Sequence, residues 1–192
     1  MHQPQEILDF WTGLGPRGWY AVDAAVDNAI RHRFGDLWEE AREGGFADWR
    51  AAPEGALAYL ILTDQFPRNM FRGEARAFAT DARALDCARH AVAQRFDDHV
   101  EGAIRQFFWL PFMHSEDPAD QARSVAIFEA RMPGESALHA RAHAEVIRRF
   151  GRFSYRNAAL GRASTPEEER FLAEGGYRAV VAALSGGTSP GG

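Results

Sequence analysis

The chain has 192 residues, 46% of them apolar and 26% charged, and all 22 of its Lys/Arg positions are arginine. With no lysine there can be no lysine Schiff base, pyridoxal-phosphate anchor, P-loop lysine or Ser–Lys nucleophilic pair. A net charge of −5 argues against a general nucleic-acid or anionic-membrane surface, and a single cysteine, Cys87, excludes an intrachain disulfide or a cysteine-rich zinc site. In chain order, Ile7, Leu8, Trp11 and Leu14 form a short apolar helical stripe that the Gly-Pro-Arg-Gly turn at 15–18 breaks. Val22, Val26, Ile30 and Phe34 repeat every four residues, with Asp23 and Asp27 between them, and Gly35 is expected to punctuate that helix. Pro53 suits the first turn of a helix carrying Leu57, Leu60, Ile61 and Phe66, which Pro67 is expected to end. Thr80-Asp81 caps a run through Leu85, Val92 and Phe96, and Val100, Ile104, Phe107 and Phe108 mark another helix, closed by Pro111. Asp117-Pro118 opens a helix to about Met132, and Pro133-Gly134 separates it from one reaching Phe150. Thr165-Pro166-Glu167-Glu168 is a capping box that starts the last helix.

No segment shows the alternation of a strand, so the predicted class is all-α: a single-domain helical array or irregular bundle over 1–184, with SGGTSPGG, 185–192, as a flexible tail. No period near 34 residues marks a repeat protein. No apolar run approaches the length of about 18 needed to span a bilayer. Glu6 and Asp9 stand where a signal peptide needs basic and then apolar residues, so a cytoplasmic location is expected.

Candidate functional residues are the polar ones that break the apolar pattern. Asp64 falls within the arc of Leu57, Leu60 and Ile61, and an inward carboxylate must be paired or hydrogen-bonded. With Arg68 and Asn69 it forms either a buried clasp around the Pro67 turn or part of a site. His139 and His143 share the inner face of the helix ending at Phe150. Histidines four apart can chelate a metal, but Ala-Arg-Ala between them lacks the glutamate of an HExxH motif, and core hydrogen bonding is the simpler reading. In PFMHSED, 111–117, capping explains Asp117 but leaves His114, Ser115 and Glu116, and histidine beside carboxylates can serve as a general acid or base near neutral pH. In FGRFSYRNAALGR, 150–162, Arg152, Arg156 and Asn157 lie in an aromatic-rich loop. Planar guanidinium groups there suit bidentate contact with a carboxylate or phosphate, from a ligand or from inward carboxylates such as Asp64.

The blocks ILDFW, LTDQFPRNMFRG, PFMHSED, FGRFSYRN and LGRASTPEEERFL, in this order from Ile7 to Leu172, resemble the bacterial domain-of-unknown-function family 924. The resemblance implies an all-helical fold related to tetratricopeptide-repeat domains and assigns no reaction. The family pattern maps onto Asp64, Gln65, Pro67, Arg68, Asn69, His114, Ser115, Glu116, His143, Gly151, Arg152, Arg156 and Asn157. The chain departs from it at Ser154-Tyr155, where the family usually reads Pro-His, which puts in doubt any mechanism needing a histidine at 155.

Two functions compete on this reading. In one, a pocket binds a small carboxylate or phosphate ligand: Arg68, Arg152 and Arg156 hold the anion, Asn69 and Asn157 orient it, and His114 or His143, tuned by Glu116 or Asp64, moves a proton. In the other, a helical scaffold binds a protein or peptide segment and the same residues clasp helices together. Neither requires a cofactor, a metal, nucleic acid or a membrane, and whether the first is an enzyme the sequence leaves open.

Overall fold

In the computed structural model, which describes residues 3–186, the first helix, α1 (Pro4–Trp19), is interrupted at Gly15, whose φ of 65° and ψ of 176° leave the helical region just before Pro16. The proline disfavours helix at the residue before it and glycine accepts the left-handed φ, so the break falls where the sequence places it. Helix α2 (Ala24–Arg42) is capped by Asp23, whose carboxylate accepts the Ala25 and Val26 N–H groups. Gly35 does not end α2. Ile30, Phe34, Leu37, Trp38 and Ala41 continue one buried face past it, and that burial outweighs the cost of about 1 kcal/mol for an internal glycine.

Pro67 is the second place where the expectation fails. Helix α3 (Pro53–Leu60) runs on through a π-turn, Ile61–Gln65, into α4 (Phe66–Met70), so the proline lies inside a continuous helical path. A π-turn inserts one residue, and Phe66 N–H accordingly reaches back to the Ile61 carbonyl. The carbonyl that a residue-67 amide would have taken in an α-helix, that of Thr63, accepts the Thr80 hydroxyl instead, and the Asp64 carbonyl accepts Arg68 Nη1. Thr80 precedes α5 (Asp81–Ala93) but makes no side-chain cap. Its hydroxyl is turned inward to Thr63 and accepts Trp38 Nε1–H.

Phe96 stands outside α5, in a 3-10 turn (Phe96–His99). The predicted helix through Phe107 is likewise a 3-10 segment (Ala103–Phe108), and Pro111 lies within the short α6 (Leu110–Met113) that follows it. Local hydrogen bonding rather than apolar period sets these short pieces.

The described chain clusters into two compact units, Met1–Pro111 and Phe112–Gly192. In the first, Trp11 packs edge-on against Phe66 and Phe107, and Phe34 stacks on Phe66. In the second, α7 (Pro118–Arg131), capped by Asp117, packs on α8 (Glu135–Phe150), and Gly151 closes α8 in the left-handed conformation. Helices α9 (Pro166–Ala173) and α10 (Gly176–Gly186) complete a core of Ala142, Val146, Ile147, Phe153, Phe171 and Val180. Ser185 and Gly186 are thus helical, and the rest of the expected tail, 187–192, lies outside the described residues. The fold is all-α, with no strand among the described residues.

Candidate functional site

In the second unit the loop between α8 and α9 is held by two carboxylates. Glu168, at the third position of α9, closes the capping box with Thr165 and takes the Arg152 fork on both oxygens, at 2.7 Å each. The Arg152 hydrogen bonds lower its pKa to about 2; burial opposes them, and the Thr165 N–H and the Asn157 amide add to the lowering. Glu116, just before α7, takes Arg162 on both oxygens and accepts the Phe153 N–H at 2.8 Å. Burial by itself would raise its pKa, but the Arg162 bonds, the Phe153 N–H and the charges of Arg162 and Arg156 hold it below the usual carboxylate range. Asn157 accepts Arg162 Nε and donates to Ser164. Two members of the arginine cluster are therefore architectural, since Arg152 and Arg162 fasten the loop that carries Tyr155 and Arg156. Ser115 donates to Asp120 and accepts the Asp117 N–H, a turn arrangement at the start of α7.

This loop lies against the histidine face of α8. Rings of His143, Phe153, Tyr155 and Tyr177 contact one another in a closed circuit, with centroid separations of 5.5, 5.4, 6.4 and 4.6 Å. The His114 ring stands 6.3 Å from that of His143, and the buried Arg156 guanidinium carbon lies 4.4 Å over Phe153. His143 Nδ1 is 2.9 Å from the His139 carbonyl one turn earlier in α8. A carbonyl only accepts, so Nδ1 carries the hydrogen. Burial first, and then the neighbouring His114, Arg156 and His139, disfavour the imidazolium and push the His143 pKa down to about 3, although the His139 carbonyl pulls the other way. The ring is therefore neutral at physiological pH, with Nε2 as a bare acceptor. A base this weak is a poor proton acceptor near neutrality, so hydrogen bonding rather than proton transfer is the chemistry His143 offers. His139 Nδ1 is 2.7 Å from the Tyr177 hydroxyl, whose pKa burial raises above its ordinary 10.0. Both Nδ1 atoms thus face protein oxygens, which leaves only the Nε2 atoms of the i, i+4 pair for any further contact. Among the described residues no group of three or more His, Cys, Asp or Glu side chains is placed to hold a metal.

Asp64, Arg68 and Asn69 belong to the first unit. Asp64 is 1% exposed; its carboxylate accepts Gln65 Nε2 and lies 3.3 Å from Arg68 Nη1. Arg68 also donates to Asp81 at 2.9 Å, and Asn69 to Asp27 at 2.8 Å, beside an Arg72 fork on the same carboxylate. Sequence reasoning passed over Asp27, although it sits on the buried face of α2, one turn before Ile30. It also passed over Tyr177, yet Tyr177, Val180, Val181 and Leu184 follow helical spacing and would have marked the inner face of α10.

The family model described as bacterial protein of unknown function (DUF924) matches residues 7–176. The chain belongs to this family. It is also similar to the solved structure of a protein of unknown function from Agrobacterium tumefaciens, with 41% identity over 89% of this chain and 97% of that one and a TM-score of 0.86. No curated protein matches it. The DUF924 match takes in both units, so every candidate site residue lies within it. No helix of the described residues is long and apolar enough to cross a membrane.

Proposed function

We propose that the second unit of this DUF924 member binds a small carboxylate or phosphate compound at Arg156, beside His114, His143 and Tyr155. The observation that carries the reading is the position of the Arg156 guanidinium. It is buried over Phe153, in the aromatic circuit, and its charge is felt by both His143 and Glu116. A planar guanidinium suits a carboxylate or phosphate, and a partly dry setting strengthens its attraction for an anion. Tyr155, 40% exposed, provides the solvent-facing edge. The reading narrows the set of ligand-binding residues: Arg152 and Asn157 hold the loop, and the bonds of Arg68 and Asn69 within the first unit favour a clasp. Glu116, committed to Arg162, acts by position rather than as an acid or base.

The test is a calorimetric and thermal-shift screen of small carboxylates and phosphates against wild type, Arg156→Ala and Arg156→Lys. The expected result is stabilisation of wild type that both variants lose, because lysine keeps the charge without the fork. A helical scaffold, the alternative reading, predicts the opposite pattern: Arg156→Ala lowers thermal stability and no small anion shifts any of the three.

A further inference from the structure

We propose that Gln121 is a positioning residue of this site: its side-chain amide pins the chain on both sides of His114 and so sets where the His114 ring stands against His143. The inference rests on the anion-site reading only for its effect on binding; the pinning itself follows from hydrogen bonds within the second unit. Gln121 is the fourth residue of α7 and is 2% exposed. Its side chain runs back toward the helix start, as helical side chains do. There Nε2 donates to the carbonyls of Met113 at 2.7 Å and Ser115 at 2.6 Å, with the Phe112 carbonyl at 3.4 Å. Three carbonyls around one atom settle which way the amide faces, since only its nitrogen has hydrogens to give.

Phe112 and Met113 close α6, whose last carbonyls have no partner inside the helix, so capping α6 is the simplest role for this amide. Capping leaves the Ser115 bond unexplained, because that carbonyl lies beyond the end of α6. The two carbonyls held most closely belong to the peptide planes just before His114 and just after Ser115. Holding both planes fixes the direction of the His114 Cα–Cβ bond, from which the ring hangs. Farther along, Ser115 Oγ donates to Asp120 at 2.8 Å and accepts the Asp117 N–H at 3.2 Å, and Glu116 takes the Phe153 N–H and the Arg162 fork. The residues flanking His114 are thus tied to α7 and to the loop before α9. His114 itself meets α8, where its ring stands 6.3 Å from that of His143 at 61°. The contact has an electrostatic side, since His114 is among the groups that disfavour the His143 imidazolium.

Carbon–proton spectra of the histidine rings in full-length wild type, Gln121→Met and Ser115→Ala test the proposal. Methionine matches the length of glutamine and donates nothing, whereas Ser115→Ala loosens the same turn and leaves both carbonyls held. The expected result is that Gln121→Met shifts the His114 and His143 ring signals and loses the Overhauser contact between them, while His139 keeps its contact with Tyr177. Ser115→Ala should lower the melting temperature and leave the ring pair in place. A Gln121→Met protein that is less stable but keeps the His114–His143 contact would reduce Gln121 to a helix cap and overturn the proposal. Loss of the contact in both variants would overturn it too. Inorganic phosphate and succinate, titrated calorimetrically, carry the effect to the site. Whichever binds wild type should bind Gln121→Met about tenfold more weakly, the worth of one good hydrogen bond, and Ser115→Ala unchanged. Equal binding by Gln121→Met would overturn the assignment of Gln121 to the site. Binding of neither anion by wild type would overturn the anion site, and the ring spectra still decide whether Gln121 positions His114. Should Gln121→Met fail to fold, Gln121→Asn, which draws the amide back by one methylene, is read in the same way.

Discussion

Replacing Glu168 by glutamine removes one charge from the centre of the loop clasp while keeping its size. The side chain is 2% exposed and receives Arg152 Nε and Nη2 at 2.7 Å and the Thr165 N–H at 2.8 Å. Glutamine at this position still completes a capping box, so the helix start is spared and the ion pair alone is lost. The carboxyl titrates at about 2 in the folded protein against an ordinary 4.5. The interval corresponds to about 3 kcal/mol favouring the ionised form, which the exposed edge of Arg152 screens to about 2 kcal/mol. The sign follows from the lowered folded value: the contribution is complete above pH 4.5 and is lost as pH falls through about 2. Urea unfolding followed by far-ultraviolet circular dichroism should show Glu168→Gln less stable than wild type by about 2 kcal/mol at pH 7, with the two converging near pH 2. All five tryptophans lie in the first unit, so their fluorescence separates that unit's response from the loss expected in the second. A variant as stable as wild type at pH 7, or a deficit that persists undiminished at pH 2, would refute the ion-pair argument.

Thr80→Val keeps the shape of a buried side chain but strands the Thr63 carbonyl and the Trp38 indole N–H; unfolding experiments should show a loss of about 2–4 kcal/mol, two unpaired buried groups' worth. Gly55→Ala should lower the melting temperature sharply or prevent folding, because the added Cβ would stand 2.2 Å from the Trp49 carbonyl oxygen, a backbone atom with no rotamer to change. The neutral His143 predicts that nitrogen-15 spectra keep a pyridine-like Nε2 and a pyrrole-like Nδ1 from about pH 8 to about pH 5. Because the folded value, about 3, lies below the ordinary 6.5, the unfolded chain takes up the proton first; acid should therefore erode stability from pH 6.5 downward, and His143→Phe should weaken that dependence.

The legible parts of the site were those with a local cause. Asp117 before Pro118 and Thr165 with Glu168 could be recognised as caps because a helix start leaves N–H groups that a nearby side chain must meet. Asp64 could be recognised as inward and paired because helical spacing put a carboxylate among apolar neighbours. The partners were a different matter. That Glu116 belongs to Arg162, 46 positions away, and Glu168 to Arg152 rather than either arginine to Asp64, is a choice among chemically equivalent ion pairs. Nothing in the sequence ranks them, since any Arg–carboxylate pair satisfies the same chemistry.

Arginine usage shows the division most plainly. The sequence by itself determined that every side chain in the Lys/Arg class is a permanently charged planar fork, that the fold is all-α, and where the well-capped helices begin, because these follow from residue type and local spacing. Tertiary structure alone decided what each fork meets. Arg152 and Arg162 close on carboxylates to hold a loop, and the Arg156 guanidinium carbon stands over Phe153, in the ring circuit that includes His143. The π-turn belongs to the same class of decision. Pro67 reads locally as a helix stop, but the Thr80 hydroxyl, brought in from the start of another helix, satisfies the carbonyl that the proline leaves behind. Local rules count the groups that need partners; packing between distant segments supplies them.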